Sequence, residues 1–117
     1  MAKPKNLVTS LPWKVKGKPA NKYNAKKTRV DGILFDSQKE ARRYVELKMM
    51  RDAGQVVHFH RQVIFDLPGG TTYRCDFQVF WASGKVTYED VKGRKTKEYI
   101  RAKKQVEALY PVEIIEK

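Results

Sequence analysis

The 117-residue chain has few of the features that mark secreted, membrane-spanning or disulfide-stabilised proteins. Its one cysteine, Cys75, cannot form an internal disulfide, which suits a reducing compartment. No apolar run approaches the ~20 residues of a membrane-spanning helix. The N-terminal stretch lacks the apolar segment of a secretory signal. We therefore expect a cytoplasmic protein.

Several common enzyme and zinc motifs are also absent from the sequence. The chain has no glycine-rich phosphate loop, no serine or cysteine nucleophile motif and no zinc-finger spacing. His58 and His60 lie close together, but a zinc site would need further ligands, and Cys75 alone is not a convincing one. The two histidines are therefore better interpreted as structural residues.

Acidic residues are scarce relative to basic ones. The chain has 25 Lys and Arg against 13 Asp and Glu, which gives a formal net charge of +12. This excess predicts a polyanionic partner, most often nucleic acid, with a solvated basic surface as the alternative. Residues 1–22 contain lysines and prolines but no acid and predict a flexible basic arm. Residues 23–117 are long and apolar enough to form one folded domain.

Turn signals and hydrophobic periodicity predict an α/β fold. Asp31-Gly32 suits a two-residue hairpin turn between strands at 27–30 and 33–35. A capping box at Ser37 and an apolar stripe predict a helix at about 37–53, ended by Gly54. Residues 55–67 are predicted to form one strand or a broken pair, and residues 73–81 and 85–91 a strand hairpin. A second helix is predicted at residues 97–109 and a last strand at residues 112–116.

The predicted order is a hairpin, a helix, three antiparallel strands, a helix and a parallel strand. A strand, a helix and another strand require a right-handed crossover and a parallel pairing, which gives a mixed β-sheet flanked by helices. In the second helix, the spacing of apolar residues predicts four inward-facing positions: Tyr99, Ala102, Val106 and Leu109.

Three charged residues of the central hairpin form the main candidate site. Asp76 lies inside the first strand, and Asp90 and Lys92 close the second, where strand alternation projects both to one face. Carboxylate oxygens suit Mg²⁺ or Mn²⁺, and a nearby lysine can stabilise charge on a phosphate, as metal-assisted phosphodiester cleavage requires. A cross-strand Asp–Lys salt bridge is the alternative, and spacing alone does not separate the two.

A third acid and two basic segments complete the candidate residues. Glu40 lies at the edge of the first helix's apolar stripe, although periodicity alone favours its role in the capping box with Ser37. Basic residues that flank the acids in sequence can grip phosphates, with solvated loops as the alternative: Lys26, Lys27, Arg29, Arg94, Lys95 and Lys97.

Together these motifs resemble the PD-(D/E)xK nuclease superfamily, which includes restriction endonucleases and Holliday junction resolvases. Residues 22–44, followed by Asp76-Phe77 and Glu89-Asp90-Val91-Lys92-Gly93, are similar to small phage endonucleases. Among these, the chain resembles phage Holliday junction resolvases, which are similar to the archaeal type. The resemblance covers residues 22–117 and implies a restriction-endonuclease-like fold with Mg²⁺-dependent hydrolysis of DNA, for which Mn²⁺ substitutes.

By position, the resemblance makes Asp76 the first acid of the motif, Asp90 the second and Lys92 its lysine. Glu40 matches the glutamate of the first helix, so the implied metal ligands are Asp76, Asp90 and Glu40, and all four residues are implied to be catalytic. Cys75 stands where the motif name has proline. Glu89 makes the second acid ambiguous, and we favour Asp90 because it shares a strand face with Lys92.

The function implied by the resemblance is a structure-selective DNA endonuclease that resolves four-way junctions, in the host cytoplasm if phage-encoded. Such enzymes act as homodimers, because two symmetric nicks need two active sites, and Trp13, Phe80 and Trp81 are candidates for the interface. One alternative is another endonuclease or nickase of the same fold. A second is a non-catalytic basic nucleic-acid-binding protein whose acids form only salt bridges.

Overall fold

The computed structural model describes residues 26–117 and shows an α/β protein with two helices and a mixed β-sheet. The predicted arm at 1–22, with Trp13, lies outside the described residues. The chain divides into two compact units, Met1–Met49 and Met50–Lys117. Its elements are β1 Thr28–Val30, β2 Ile33–Phe35, α1 Gln38–Asp52, β3 Val56–Leu67, β4 Thr71–Trp81, β5 Val86–Asp90, α2 Lys97–Leu109 and β6 Ile114–Glu116. This order is the predicted one.

In the first unit, β1 and β2 form the predicted antiparallel hairpin. Asp31 and Gly32 have φ values of 54° and 76°, the left-handed pair that a type I′ turn requires. The Asp31 carboxylate accepts a hydrogen bond of 3.0 Å from the Tyr44 hydroxyl and forms an ion pair with Lys48. These contacts, the one with Lys48 above all, hold the pKa of Asp31 below its usual range. The hairpin turn is thereby tied to α1.

Both ends of α1 follow from local sequence. At the start, the Ser37 hydroxyl accepts a hydrogen bond of 3.1 Å from the backbone N–H of Glu40, as an N-cap does. At the end, the N–H of Gly54 donates to the Arg51 carbonyl and the N–H of Gln55 donates to the Met50 carbonyl. Gly54 has a φ of 87°, so this is a Schellman motif at the predicted stop.

The second unit contains a four-stranded sheet in the order β3-β4-β5-β6. The first three strands pair antiparallel, and β6 pairs parallel to β5 after the chain has passed through α2. One continuous strand, β3, covers the region predicted as a strand or a broken pair. No helix within residues 26–117 is long and apolar enough to cross a membrane.

The core of the second unit lies between α2 and the sheet. Val106 of α2 and Ile114 of β6 are buried with four residues of β3 and β4, which are Phe65, Leu67, Tyr73 and Cys75. Burial raises the pKa of Cys75 to about 12, so its thiol stays protonated and acts as a small apolar residue.

The predicted inward position of Leu109 is wrong, because its side chain is 54% exposed. Leu109 is the last residue of α2, and the chain leaves the helix there. The next residue, Tyr110, packs its ring on Phe65 with 5.0 Å between ring centroids. Tyr110 therefore covers this part of the core in place of Leu109.

Replacing Thr96 with alanine is expected to lower the free energy of unfolding by about 1 kcal/mol. Thr96 caps the start of α2, because its hydroxyl accepts a hydrogen bond of 3.1 Å from the backbone N–H of Tyr99. Urea denaturation followed by circular dichroism measures the change. Thr96→Ser keeps the acceptor oxygen and is the control, and an equal loss in both variants would contradict the capping role.

Candidate active site

Asp76 and Asp90 are adjacent in the structure, and the carboxylate of each accepts a hydrogen bond from the backbone of the other residue's strand. The β4–β5 ladder ends at the pair Phe77 and Glu89. Immediately beyond it, the N–H of Asp76 donates to Asp90 Oδ1 at 3.0 Å, and the N–H of Val91 donates to Asp76 Oδ2 at 2.9 Å. Each carboxylate thus takes the place of a backbone carbonyl as acceptor. This exchange fixes both carboxylates at the point where the two strands stop pairing.

The Asp90 carboxylate is fully buried, with 0% of the residue exposed. Its second oxygen, Oδ2, has no hydrogen-bond partner within the described part of the chain. Burial raises the pKa of Asp90, while the Asp76 N–H and the Lys92 ammonium partly oppose that rise. A buried carboxylate oxygen without a partner is costly, so this atom favours binding of a proton or a cation.

Lys92 lies two residues after Asp90 and is half-buried. Its Nζ atom is 4.9 Å from the centroid of the Tyr99 ring of α2. The positive charge of Lys92 also lowers the pKa of Asp90. The structure thus brings Asp76 and Asp90 together at one end of β5, and Lys92 follows Asp90 by two residues.

A second polar network surrounds Glu116 of β6 and includes Tyr99, whose ring contacts Lys92. The Tyr99 hydroxyl donates to Glu116 Oε2 at 2.9 Å, and Lys95 forms an ion pair with Glu116 Oε1 at 2.9 Å. Burial, followed by the hydrogen bond to Glu116, raises the pKa of Tyr99, so its hydroxyl remains a donor. The sequence marked Tyr99 only as a core residue and gave no signal for Glu116, whose approach depends on the parallel β5–β6 pairing.

Gln62 of β3 is a further residue that the sequence did not indicate. It has a φ of 56°, in the left-handed region that a glutamine rarely adopts. Arg61 pairs with Phe77 and Val63 pairs with Cys75, so Gln62 is placed opposite Asp76. Such strained residues cluster at functional sites. Glutamine is not a turn-forming residue, and no sequence pattern predicts this conformation.

The two remaining candidate acids occupy different positions. Glu40 is 5% exposed and belongs to the first unit, whereas Asp76, Asp90 and Lys92 belong to the second, so its part in the site stays a prediction. Glu89 is 1% exposed and pairs with Phe77. Because Glu89 and Asp90 are neighbours on one strand, their side chains project to opposite faces of the sheet. This favours Asp90 as the acid that acts with Asp76.

The predicted DNA-binding residues lie in both units. In the first, Lys27 forms an ion pair of 3.3 Å with Asp36, and the Arg29 guanidinium donates to the Gly32 carbonyl at 3.2 Å. Lys26 is half-buried. In the second unit three exposed basic residues follow Lys92 on the loop and at the start of α2, namely Arg94, Lys95 and Lys97. This second group lies close to Asp90 along the chain.

The acids fit a magnesium ion better than a zinc ion. Within residues 26–117, no three or more His, Cys, Asp and Glu side chains are grouped so that they could hold a metal ion. Mg²⁺ does not require such a group, because it keeps several waters and is usually bound by one or two carboxylates together with substrate phosphates. The unpartnered Asp90 Oδ2, with Asp76 beside it, fits that kind of site.

Comparisons with known proteins place the chain in a family. A search of curated proteins gave no match. A family model described as "Protein of unknown function (DUF1064)" matches residues 20–114. The matched region includes all four predicted catalytic residues, Glu40, Asp76, Asp90 and Lys92. Since the match covers most of the 117 residues, the chain belongs to the DUF1064 family.

Proposed function

We propose that this protein is a divalent-metal-dependent, structure-selective DNA endonuclease that resolves four-way junctions by paired symmetric nicks. The carrying observation is that the Asp76 N–H donates to Asp90 Oδ1 and the Val91 N–H donates to Asp76 Oδ2, while the buried Asp90 Oδ2 has no hydrogen-bond partner among residues 26–117. The net charge of +12 supports a nucleic-acid substrate. The resemblance of the acid and lysine motif to the PD-(D/E)xK superfamily supports the reaction.

In this proposal Asp76 and Asp90 would hold Mg²⁺. The bound ion supplies Lewis-acid stabilisation of the charge that develops on the scissile phosphate. The backbone N–H groups of Asp76 and Val91 each hold one oxygen of a carboxylate, which fixes both side chains before DNA binds. Lys92 stabilises negative charge on the phosphate or orients the attacking water.

The basic residues provide affinity for the DNA backbone. Arg94, Lys95 and Lys97 are exposed and follow the catalytic lysine directly, so they can contact phosphates next to the scissile bond. Contacts of this kind carry no sequence information, which suits an enzyme that recognises the shape of DNA. Two symmetric cuts in one junction require two active sites, so we propose a homodimer as the active form.

The same site also suits another endonuclease or a nickase of this fold. Cleavage of a panel of forks, flaps, duplexes and four-way junctions separates these enzymes from a junction resolvase. A non-catalytic nucleic-acid-binding protein would require only the basic charge. Such a protein would bind DNA with strong salt dependence but would not cut DNA with any divalent metal ion present.

The direct test incubates the purified full chain with an end-labelled four-way junction, with and without Mg²⁺. We expect symmetric nicks that depend on Mg²⁺. Asp76→Asn should lower the cleavage rate by more than about 100-fold, because loss of even an outer partner of a metal site reaches that size. Binding of the junction, measured by gel shift in Ca²⁺, should persist because the basic residues are unchanged.

Asp52→Asn is the matched control for this test. Asp52 is an exposed acid at the end of α1 and is not one of the candidate site residues, so its substitution removes one negative charge and leaves Asp76 and Asp90 in place. The control should cut junctions at the parental rate. Cleavage by Asp76→Asn at that same rate would refute the site assignment, and Mg²⁺-independent cutting would refute the proposed reaction.

A further inference from the structure

We infer that Tyr99 is a positioning residue for Lys92, since the Lys92 ammonium group lies over the Tyr99 ring and Glu116 holds that ring. This inference deepens the proposed function and rests on it where cleavage is concerned. It adds to the site one residue of α2 and one of β6, neither of which belongs to the acid and lysine motif.

The contact between Lys92 and Tyr99 has the geometry of a cation–π interaction. The Lys92 Nζ atom lies 4.9 Å from the ring centroid, within the roughly 6 Å over which such attraction operates. Both residues are half-buried, so water screens the attraction less than it would on an open surface. A lysine side chain is flexible, and the ring restricts it to positions near the end of β5.

The Tyr99 ring is itself held by separate contacts. The Tyr99 hydroxyl donates to Glu116 Oε2 at 2.9 Å, and Glu116 is in turn paired with Lys95. The ring packs against Tyr73 of β4 with 6.3 Å between centroids. Thr96 caps the backbone of Tyr99 from the preceding turn. Residues of β4, β6 and the start of α2 therefore determine where the ring lies and, through it, where Lys92 lies.

Packing in the core also explains a tyrosine at this position, because Tyr99 borders the buried cluster around Val106. If Tyr99 only packs in the core, its role depends on the shape of the ring and very little on the electrostatic potential of the ring face. A cation–π role depends on the negative electrostatic potential of the ring face, which fluorine substituents weaken while the shape changes little. This difference provides a test.

The cleavage test compares Tyr99→Phe with Tyr99→trifluorophenylalanine, introduced by amber suppression in the full chain. Tyr99→Phe keeps the ring and loses the hydrogen bond to Glu116, so its single-turnover rate in Mg²⁺ at saturating junction is the reference for the fluorinated variant, which lacks the same hydrogen bond. The fluorinated variant should cut roughly five- to tenfold more slowly than Tyr99→Phe, with junction affinity unchanged. As the matched control, the same pair of substitutions at Tyr110, whose ring packs on Phe65, should show no such difference.

A second readout does not depend on catalysis. In protein with isotope-labelled lysine, the Tyr99 ring should shift the Lys92 Hε signals upfield, with Lys92→Arg used to assign them. The shift should persist in Tyr99→Phe and disappear in Tyr99→Leu. Thermal unfolding checks that each variant is folded, and the fluorinated variant keeps the test decisive if Tyr99→Leu does not fold.

Equal rates for the fluorinated variant and Tyr99→Phe, or an unchanged Lys92 signal in folded Tyr99→Leu, would overturn the inference. Parental protein that cuts no DNA in Mg²⁺ would instead refute the proposed function and, with it, the catalytic role of Tyr99. The Lys92 signal would in that case still decide whether the ring holds the ammonium group, so the two failures are distinguishable.

Discussion

Replacing Asp90 with asparagine is expected to lower Mg²⁺-dependent cleavage by about 1,000-fold, the upper range for removing one electrostatic contact from an active site. Asparagine keeps a carbonyl oxygen that can accept the hydrogen bond from the N–H of Asp76. It replaces Oδ2, which is buried and has no hydrogen-bond partner in the described part of the chain, with an amide nitrogen, which cannot bind a cation. The substitution therefore removes the charge and preserves the shape.

The same substitution should not destabilise the metal-free protein at neutral pH. Burial raises the pKa of Asp90, so the folded state favours the protonated carboxyl. The stability that this provides is complete below the unfolded pKa of about 4 and is lost as the pH rises through the raised folded pKa. Above that pH the parental protein buries a charge that Asp90→Asn lacks, so the variant should unfold at an equal or higher temperature.

Thermal unfolding from pH 4 to pH 8, in EDTA and in Mg²⁺, measures both effects. In EDTA, the melting temperature of Asp90→Asn relative to the parental protein should increase as the pH rises. Mg²⁺ should raise the melting temperature of the parental protein and not that of the variant, because a ligand stabilises only a state that binds it. Equal Mg²⁺ shifts in both proteins would count against Asp90 as a metal ligand, and a pH-independent loss of stability in the variant would contradict the raised pKa of Asp90.

The turns and helix ends were predictable because special backbone conformations there demand particular residues. Asp31-Gly32 specifies the β1–β2 turn, and Gly54 ends α1 through its left-handed φ. Ser37 begins α1 with a side-chain oxygen. Each signal is local, so a few residues of sequence contain it, and the element order followed from these signals and from the hydrophobic periodicity.

The candidate site was predictable only in part. Strand alternation and a hairpin of known register are enough to bring Asp76 and Asp90 together. They do not reveal that each carboxylate accepts a hydrogen bond from the other's strand, because this exchange occurs where regular pairing stops. Nor do they reveal which oxygen of Asp90 is buried without a hydrogen-bond partner among residues 26–117, since that depends on contacts beyond the regular strand pairing.

Two other features could not be predicted from the sequence, because they depend on contacts between residues that are far apart in the sequence. Gln62 adopts a left-handed conformation against its intrinsic preference, within the stretch of β3 that pairs with β4. Tyr99 matches the apolar stripe of α2, so periodicity predicts a core residue. Its contacts with Lys92 and Glu116 arise only once α2 and β6 have folded against β5.

Replacing Phe77 with alanine is expected to lower the free energy of unfolding by about 3–5 kcal/mol. Phe77 is 0% exposed, packs on Phe59 with 6.2 Å between ring centroids and forms the last β4–β5 pair before the two carboxylates. Truncation leaves a cavity that close-packed neighbours fill only partly. A loss of this size is a large fraction of the roughly 5–15 kcal/mol that stabilises a typical domain.

Urea denaturation followed by circular dichroism measures this loss, with Phe77→Leu as the matched control that retains most of the buried volume. Because Phe77 stabilises the sheet and does not bind metal, Mg²⁺ should still bind folded Phe77→Ala. At 100 times its dissociation constant, Mg²⁺ should restore about 2.7 kcal/mol. The double variant Phe77→Ala/Asp90→Asn should recover none of it. A loss below 1 kcal/mol in Phe77→Ala would contradict the packing argument, and recovery in the double variant would show that the stabilising ion binds elsewhere.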